Sequence, residues 1–376
     1  MTATTSGDYN VGIGYASLFS NTTGDYNVGI GYGVMSSNTT GSTNIAIGND
    51  ALDANTTGDR NIAIGKGAYD GADTESDNLA IGHNTLGGAI DGGEYNVAIG
   101  NYSMDALTSG DKNTGVGYRT LTDNTDGEEN TAIGSAALAA NTTGDNNTAV
   151  GLAALANNTT GAENTALGSE ALKDNTTASY NIAVGTGALK ANTTGTRNIG
   201  LGNGALDAAD TESDNLAIGY DALGGPINGA ELSIGIGNYA LDALTSGDRN
   251  TAIGYNALTT NTTGRDNVSL GNSAGDGIVT GQYNVIIGSG SNPSSANEAN
   301  ASNQIVIGFG ASGTGDNYAV IGNSDITRLY AAQDGAGVLY ANGTIQSSDR
   351  RIKRNIEDVS YGLNYIMSLR PVTYYK

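Results

Sequence analysis

One short segment recurs along almost the whole chain. Asn10-Val-Gly-Ile-Gly14 returns as Asn27-Val-Gly-Ile-Gly31, Asn44-Ile-Ala-Ile-Gly48 and Asn61-Ile-Ala-Ile-Gly65, and the series runs on to Asn284-Val-Ile-Ile-Gly288. Measured between closing glycines, the interval is 17 at every step except two of 18, Gly82 to Gly100 and Gly219 to Gly237, which gives seventeen copies. A fixed period in this range commits a chain to a stacked repeat architecture, because one such unit cannot bury its own apolar face.

Composition narrows the kind of stack. Glycine accounts for 58 of 376 residues, about twice its usual share of roughly 7 %. Aromatics make up 6 %, with no Trp and two Phe, so any core is narrow and built from Val, Ile, Leu and Ala. With no cysteine there is neither a disulfide framework nor a thiolate metal site. No apolar run approaches the ~20 residues that span a bilayer, and Met1-Thr-Ala-Thr-Thr5 does not read as a signal peptide. Net charge is −22. Residues 342–376 hold six basic against three acidic side chains, or +3, so the remainder carries −25. A surface that negative repels nucleic acid and anionic membrane; solubility explains it more simply than an acidic binding face.

Within each copy the residue after Asn (Val11, Val28, Ile45, Ile62, Thr114, Thr131) and the residue two places on (Ile13, Ile30, Ile47, Ile64, Val116, Ile133) are mostly branched, with Ala or Gly between them. This is the period-two signature of a short strand. The expectation is that the branched pair points inward and the small residue outward. A second apolar column, four residues after the glycine, holds Leu18, Met35, Leu52, Leu86, Met104 and Leu121. One coil thus contributes about three core side chains. The recurrent Asn-Thr-Thr-Gly (21–24, 38–41, 55–58, 141–144) is turn chemistry, and stacking would line its residues up as internal Asn and Thr ladders. Its match to the glycosylation acceptor pattern is better explained by that turn geometry. At the β spacing of ~4.8 Å, seventeen coils make a rod of roughly 80 Å.

A longer repeat overlies the short one. Thr74-Glu-Ser-Asp-Asn-Leu-Ala-Ile-Gly82 returns at Thr211–Gly219, and Ala106-Leu-Thr-Ser-Gly-Asp-Lys-Asn113 returns at Ala243–Asn250 with Arg for Lys. Both offsets are 137, so a block of eight coils is duplicated. Each block holds one odd coil, Leu86–Glu94 and Leu223–Glu231, and these are expected to protrude as loops.

Enzyme chemistry finds no constellation on this shaft. His83 is the only histidine, which excludes a His-based triad or multi-His metal site within one chain, and it reads as a plain surface residue. The acidic runs Asp70–Asp77 and Asp207–Asp214 could hold calcium, yet they lack the spacing of known calcium loops and read as solvated loops. Tyr15, Tyr32, Tyr118, Tyr220 and Tyr255 share the position after the closing glycine. They either cover a corner of the coil or form exposed aromatic steps that could contact a receptor sugar.

From about residue 289 the period breaks. Two irregular coils follow, Gln304-Ile-Val-Ile-Gly308 and Tyr318-Ala-Val-Ile-Gly322, then a short β neck with an Asn-Gly hairpin signal at 342–343. A helix is predicted near 358–369 before Pro371. The chain thereby divides into a repeat shaft (1–288), irregular coils and neck (289–346) and a distinct C-terminal segment (347–376).

The repeats resemble the Asn-x-Ala-Ile-Gly repeats of trimeric adhesin heads, which are parallel β-rolls packed three abreast. The C-terminal segment, Ser348-Asp-Arg-Arg-Ile-Lys-Arg-Asn-Ile356 followed by Gly362-Leu-Asn-Tyr-Ile-Met-Ser-Leu-Arg-Pro-Val-Thr-Tyr-Tyr375, resembles the start of the self-cleaving intramolecular chaperone domain. That domain ends phage tail fibres and endosialidase-type tailspikes. The resemblance implies Ser348 as nucleophile, Ser347–Ser348 as the scissile bond and Lys353 as base, its pKa depressed by neighbouring arginines. It also implies trimerisation. It covers only positions 348–376, the opening of a much longer domain, so a truncated chaperone, not competent for self-cleavage, is expected here.

The combined expectation is an all-β protein: a β-solenoid or β-roll of seventeen ~17-residue coils, assembled as a homotrimeric fibre, with a short α-containing C-terminal segment. It is read as the shaft of a phage tail fibre in the virion, with no cofactor and no metal, partnered by itself and by a host surface glycan or protein. A bacterial cell-surface trimeric adhesin is the alternative. An ice-binding solenoid is a weaker one, since adjacent threonines point to opposite sides of a strand.

Overall fold

A computed structural model describes residues 6–293 and 298–329. Each repeat is one coil carrying one three-residue strand. Nineteen such strands run from Val11–Ile13 to Ala319–Ile321: the seventeen regular copies plus the two irregular coils. Every strand pairs in parallel with its neighbours in sequence, and identical repeat positions face each other, as in Val11↔Val28 and Thr148↔Thr165. The only helical element among the described residues is a 3₁₀ turn at Glu298–Asn300. All-β, the solenoid fold expected from the period is the one found. The helix predicted near 358–369 and the hairpin signal at 342–343 lie outside the described residues.

The orientation of the strands is the reverse of the expectation. The middle residue of each strand points inward: Ala46, Ala63, Ala80 and Ala149 are fully buried. The branched pair points out, with Ile45 and Ile47 each 37 % exposed. Along the regular coils the interior is too thin for much more than alanine at this position. A Cβ at Gly115 would already come within 3.0 Å of Met104 Cε and 2.7 Å of Ser103 Oγ. Branched residues stand there only at Ile286, in the last regular copy, and in the two irregular coils after it. Three core side chains per coil is the right number, but they are the strand alanine, a second small residue such as Ala51, Ala137 or Ala154, and the leucine of the second column, which is buried throughout.

The rest of the interior is polar, in two asparagine ladders. Each strand-leading Asn accepts the backbone N–H of its counterpart in the next coil, as Asn10 Oδ1 does from Asn27 N at 2.8 Å. Its Nδ2 donates to the turn glycine carbonyl one coil on, as from Asn27 to Gly41 O at 2.8 Å. The Asn of Asn-Thr-Thr-Gly donates to that same carbonyl (Asn38 Nδ2 to Gly41 O, 2.9 Å) and to the Asn before it (Asn21 Oδ1, 2.9 Å). Where a ladder runs unbroken, buried amides are thus satisfied by translation along the rod, which removes the cost of placing them in a core; Asn55, Asn192 and Asn261, which the next coil follows with Ala or Ile, keep an unpartnered Oδ1. The threonines instead line the outside of the turn and donate to the next coil's carbonyl, as from Thr142 to Thr159 O at 3.0 Å.

Tight corners close the coil. The closing glycines hold φ near +138° at Gly151, and a Cβ there would overlap the carbonyl oxygen of Gly168. Three further positions per coil take positive φ, in most coils without glycine. These are the residue before the strand Asn (Arg60, φ 60), the second after the closing glycine (Ala153, φ 53) and the buried leucine (Leu155, φ 51). Such corners turn the N–H groups along the rod axis. Leu155 N donates forward to Ala171 O at 3.0 Å, and Arg60 N donates back to Ser42 O at 3.1 Å.

Irregular coils are absorbed within the stack. The longer step between β5 (Leu79–Ile81) and β6 (Val97–Ile99) keeps the register Leu79↔Val97. The odd coils do not lift off: Ile90 and Ile227 turn inward and are 5 % exposed. Beyond the regular copies, a longer and then a shorter coil still align Val285↔Ile305 and Ile305↔Ala319.

Candidate functional site

Stacking turns every repeat position into a column on the surface, so any site on this rod is a column or a break in one. The broadest is the strand face. Positions one and three of the strands form a continuous strip of Val, Ile, Leu and Thr, ending on Ala319 and Ile321, with Ile182 40 %, Val268 40 % and Leu270 45 % exposed. Position three is aliphatic in every coil.

On one side of the strip runs the residue preceding the strand Asn. This column holds Tyr9 and Tyr26, stacked with centroids 4.9 Å apart at 6°. Further along, it pairs opposite charges one coil apart. Arg60 donates from Nε and Nη2 to the two oxygens of Asp77 at 2.6 and 2.7 Å. Arg197–Asp214 repeats that geometry, and Arg249–Asp266 (2.7 and 3.0 Å) and Lys112–Glu129 (3.1 Å) continue it. The guanidinium beside each aspartate holds Asp77, Asp214 and Asp266 below the usual carboxylate range.

On the other side lies the column of candidate receptor tyrosines, all of them exposed. They do not behave alike. Tyr15 and Tyr32 stack on each other, 5.2 Å apart at 15°. Tyr118 belongs to a zigzag with His83 and Tyr102: His83–Tyr102 are 5.4 Å apart at 64°, and Tyr102–Tyr118 6.1 Å at 86°. Arg119 lies over Tyr118 at 5.7 Å from the ring centroid. Tyr220 and Tyr255 form the equivalent zigzag with Tyr239, at 5.4 Å and 75° and at 6.0 Å and 87°. Tyr102 and Tyr239 escaped the sequence reading because they stand second after the glycine; the offset of 137 between them was the available signal.

The acidic runs differ from the expected solvated loops at one residue each. Glu75 and Glu212 are buried and cap the odd coils from inside. Glu75 accepts N–H groups from Asp73, Thr74 and Gly92, each at 3.1 Å. Glu212 accepts those of Asp210, Thr211 and Gly229 at 3.0, 3.1 and 2.8 Å. Tyr69, fully buried, accepts from Asn78 Nδ2 at 2.6 Å, and burial raises its phenol above the ordinary range. Among the described residues no group of three or more His, Asp or Glu is arranged to hold a metal ion. Half-burial raises the carboxyls of Asp70, Asp105, Asp207 and Asp242.

No helix of the described residues is long and apolar enough to cross a membrane. Ser348, Lys353 and the Ser347–Ser348 bond lie outside the described residues. Residues 348–376 match the family model described as the chaperone of endosialidase. No curated protein matches the chain at a significant level.

Proposed function

We propose that this chain is the shaft of a trimeric fibre of the phage tail-fibre or tailspike type, with three rods bundled through their strand faces. The observation that carries this reading is the outward strip of branched side chains. Nineteen strands at ~4.8 Å spacing give a strip about 85 Å long and ~10 Å wide, on the order of 800 Å². That exceeds the roughly 300–600 Å² of the largest apolar patch on an ordinary monomer. Closed cyclic packing covers such a strip without open-ended growth. The number three follows from the similarity of residues 348–376 to the endosialidase chaperone, whose family assembles trimers.

Sedimentation velocity tests the reading directly. The chain sediments as a trimer, and Ile133→Asp with Leu167→Asp releases monomers with an unchanged β signal in circular dichroism. A monomeric parent chain, or a double variant that stays trimeric, refutes it. In a chain carrying a complete chaperone, Ser348 attacks the Ser347–Ser348 bond with Lys353 as base. Mass spectrometry then finds two fragments, and Ser348→Ala stays intact. Host recognition, the remaining part of the proposal, falls to the exposed aromatic corners beside the strip.

A further inference from the structure

The two aromatic zigzags have a geometry that the other tyrosine stacks lack. In Tyr9–Tyr26 and Tyr15–Tyr32 the rings lie nearly parallel, at 6° and 15°, so each covers one face of the other. In the zigzags the middle ring, Tyr102 or Tyr239, stands at 64–87° to its neighbours, so no two rings are stacked face to face, and the flanking Tyr118, Tyr220 and Tyr255 are exposed. An exposed ring that is not stacked on another is a surface on which the C–H face of a pyranose packs.

Polar groups at these rings are free to recognise hydroxyls. Asn101 Oδ1 accepts the backbone N–H of His83 at 3.0 Å, and Asn238 Oδ1 accepts that of Tyr220 at 3.0 Å. Each amide is thereby oriented, and neither Nδ2 has a hydrogen-bond partner among the described residues. Three residues after each middle tyrosine stands an aspartate, Asp105 or Asp242. Both are half-buried, both have raised carboxyls, and neither carboxylate accepts a hydrogen bond among the described residues. The field of Asp105 reaches His83 and Arg119, and that of Asp242 reaches Asp221. An unsatisfied half-buried acceptor, an oriented donor and exposed, unstacked aromatic rings are three features with one common complement, a sugar ring with its hydroxyls.

The arrangement occurs twice, at the same position of the coil, eight coils apart. Tyr102 and Tyr239, Asn101 and Asn238, and Asp105 and Asp242 all share the offset of 137. At ~4.8 Å per coil the two lie about 38 Å apart along one rod. That span is far beyond a disaccharide and within reach of one polymer strand. The chain carries a net charge of −22, and each cluster holds a carboxylate three residues after its middle tyrosine, which disfavours an anionic polymer.

We infer that the two zigzags, centred on Tyr102 and Tyr239, are a pair of matched binding sites for one strand of a neutral polysaccharide. The inference rests on the host-recognition part of the proposed function, and names its ligand class and its sites. Two anchored sites on one strand raise the local concentration of the second contact, so losing one weakens binding and losing both abolishes it.

Affinity electrophoresis of the full chain through gels cast with dextran, mannan, galactan or the anionic polymer alginate tests this. At least one neutral polymer retards the chain, with alginate ineffective. Tyr102→Ala or Tyr239→Ala weakens retardation about tenfold and the double variant a hundredfold or more, with thermal unfolding and sedimentation unchanged. No retardation by any neutral polymer, retardation by alginate alone, or a double variant that binds like the parent overturns the inference. So does a double variant that loses its oligomeric state. Adsorption of the labelled chain to bacterial cells separates the two levels. If parent and double variant adsorb equally, the assigned sites are wrong and host recognition stands. If neither polymer nor cell is bound, both fail.

Discussion

Replacing Asn158 with leucine and, separately, Asn261 with leucine sets the middle of the inner asparagine ladder against its end. Leucine fits this column, because Leu107 and Leu244 occupy it in other coils and are fully buried. Asn158 makes three ladder bonds: to Asn141 Oδ1 at 2.8 Å, to Gly161 O at 2.9 Å and from Asn175 Nδ2 at 2.7 Å. Its loss leaves Asn141 Oδ1 buried without a donor, while Gly161 O keeps Asn147 and Asn175 keeps Ala178 O. Asn261 stands where the next coil has Ile278 instead of Asn. It makes one bond, to Gly264 O at 3.0 Å, and its own Oδ1 is already unpartnered. The apolar gain of leucine is common to both variants and cancels in the comparison. What differs is two hydrogen bonds at ~1 kcal/mol each, one stranded acceptor created and one removed at ~1–3 kcal/mol each. Asn158→Leu is therefore less stable than Asn261→Leu by at least about 4 kcal/mol, with Asn261→Leu neutral or stabilising. Urea unfolding followed by circular dichroism measures the gap, and hydrogen exchange in the coils around 141 and 175 places the weakening. Equal costs, or a larger one at residue 261, would refute the view that these amides are held by translation along the rod.

Other consequences are checked by simpler measurements. Gly151→Ala drives a methyl into the carbonyl oxygen of Gly168 at φ +138°, and costs more than about 3 kcal/mol in thermal unfolding. Ala153→Gly goes the other way: at φ 53, where coils such as that of Gly187 already use glycine at φ 68, it stabilises by up to about 1 kcal/mol. The pH dependence has two limbs. Asp70, Asp105, Asp207 and Asp242 have raised folded-state values, so their protonation stabilises the fold as pH falls from neutral toward about 4. Asp77, Asp214 and Asp266 have lowered values, and the stability they provide is lost as pH falls further. The melting temperature thus peaks at mildly acidic pH, and a monotonic fall from pH 7 would contradict the assignment.

The repeat period was legible because translation is a property of sequence. Once Asn, Gly and Leu recur at a fixed interval, stacking in register follows, and the coil count, parallel pairing and leucine column all came out as read. The duplication at an offset of 137 was visible too, and it pairs Tyr102 with Tyr239. Alternation in a strand, however, says only that neighbours face opposite ways. Which way Ile45 and Ala46 face depends on how much room the coil encloses, and that is set by the corners at Leu52, Arg60 and the closing glycines. Two of these corners, at the buried leucine and before the strand Asn, are held at positive φ almost throughout by residues other than glycine, and a third, second after the closing glycine, is glycine in only some coils, so the local signature is faint. The same holds for Glu75, whose acidic side chain turns inward to accept N–H groups from Asp73 and Thr74 and, from the next coil, Gly92. Sequence by itself determined that copies stack, and which residues share a column. The closed coil alone decided which columns are inside, because the width of the core comes from the whole circuit and not from any segment of it.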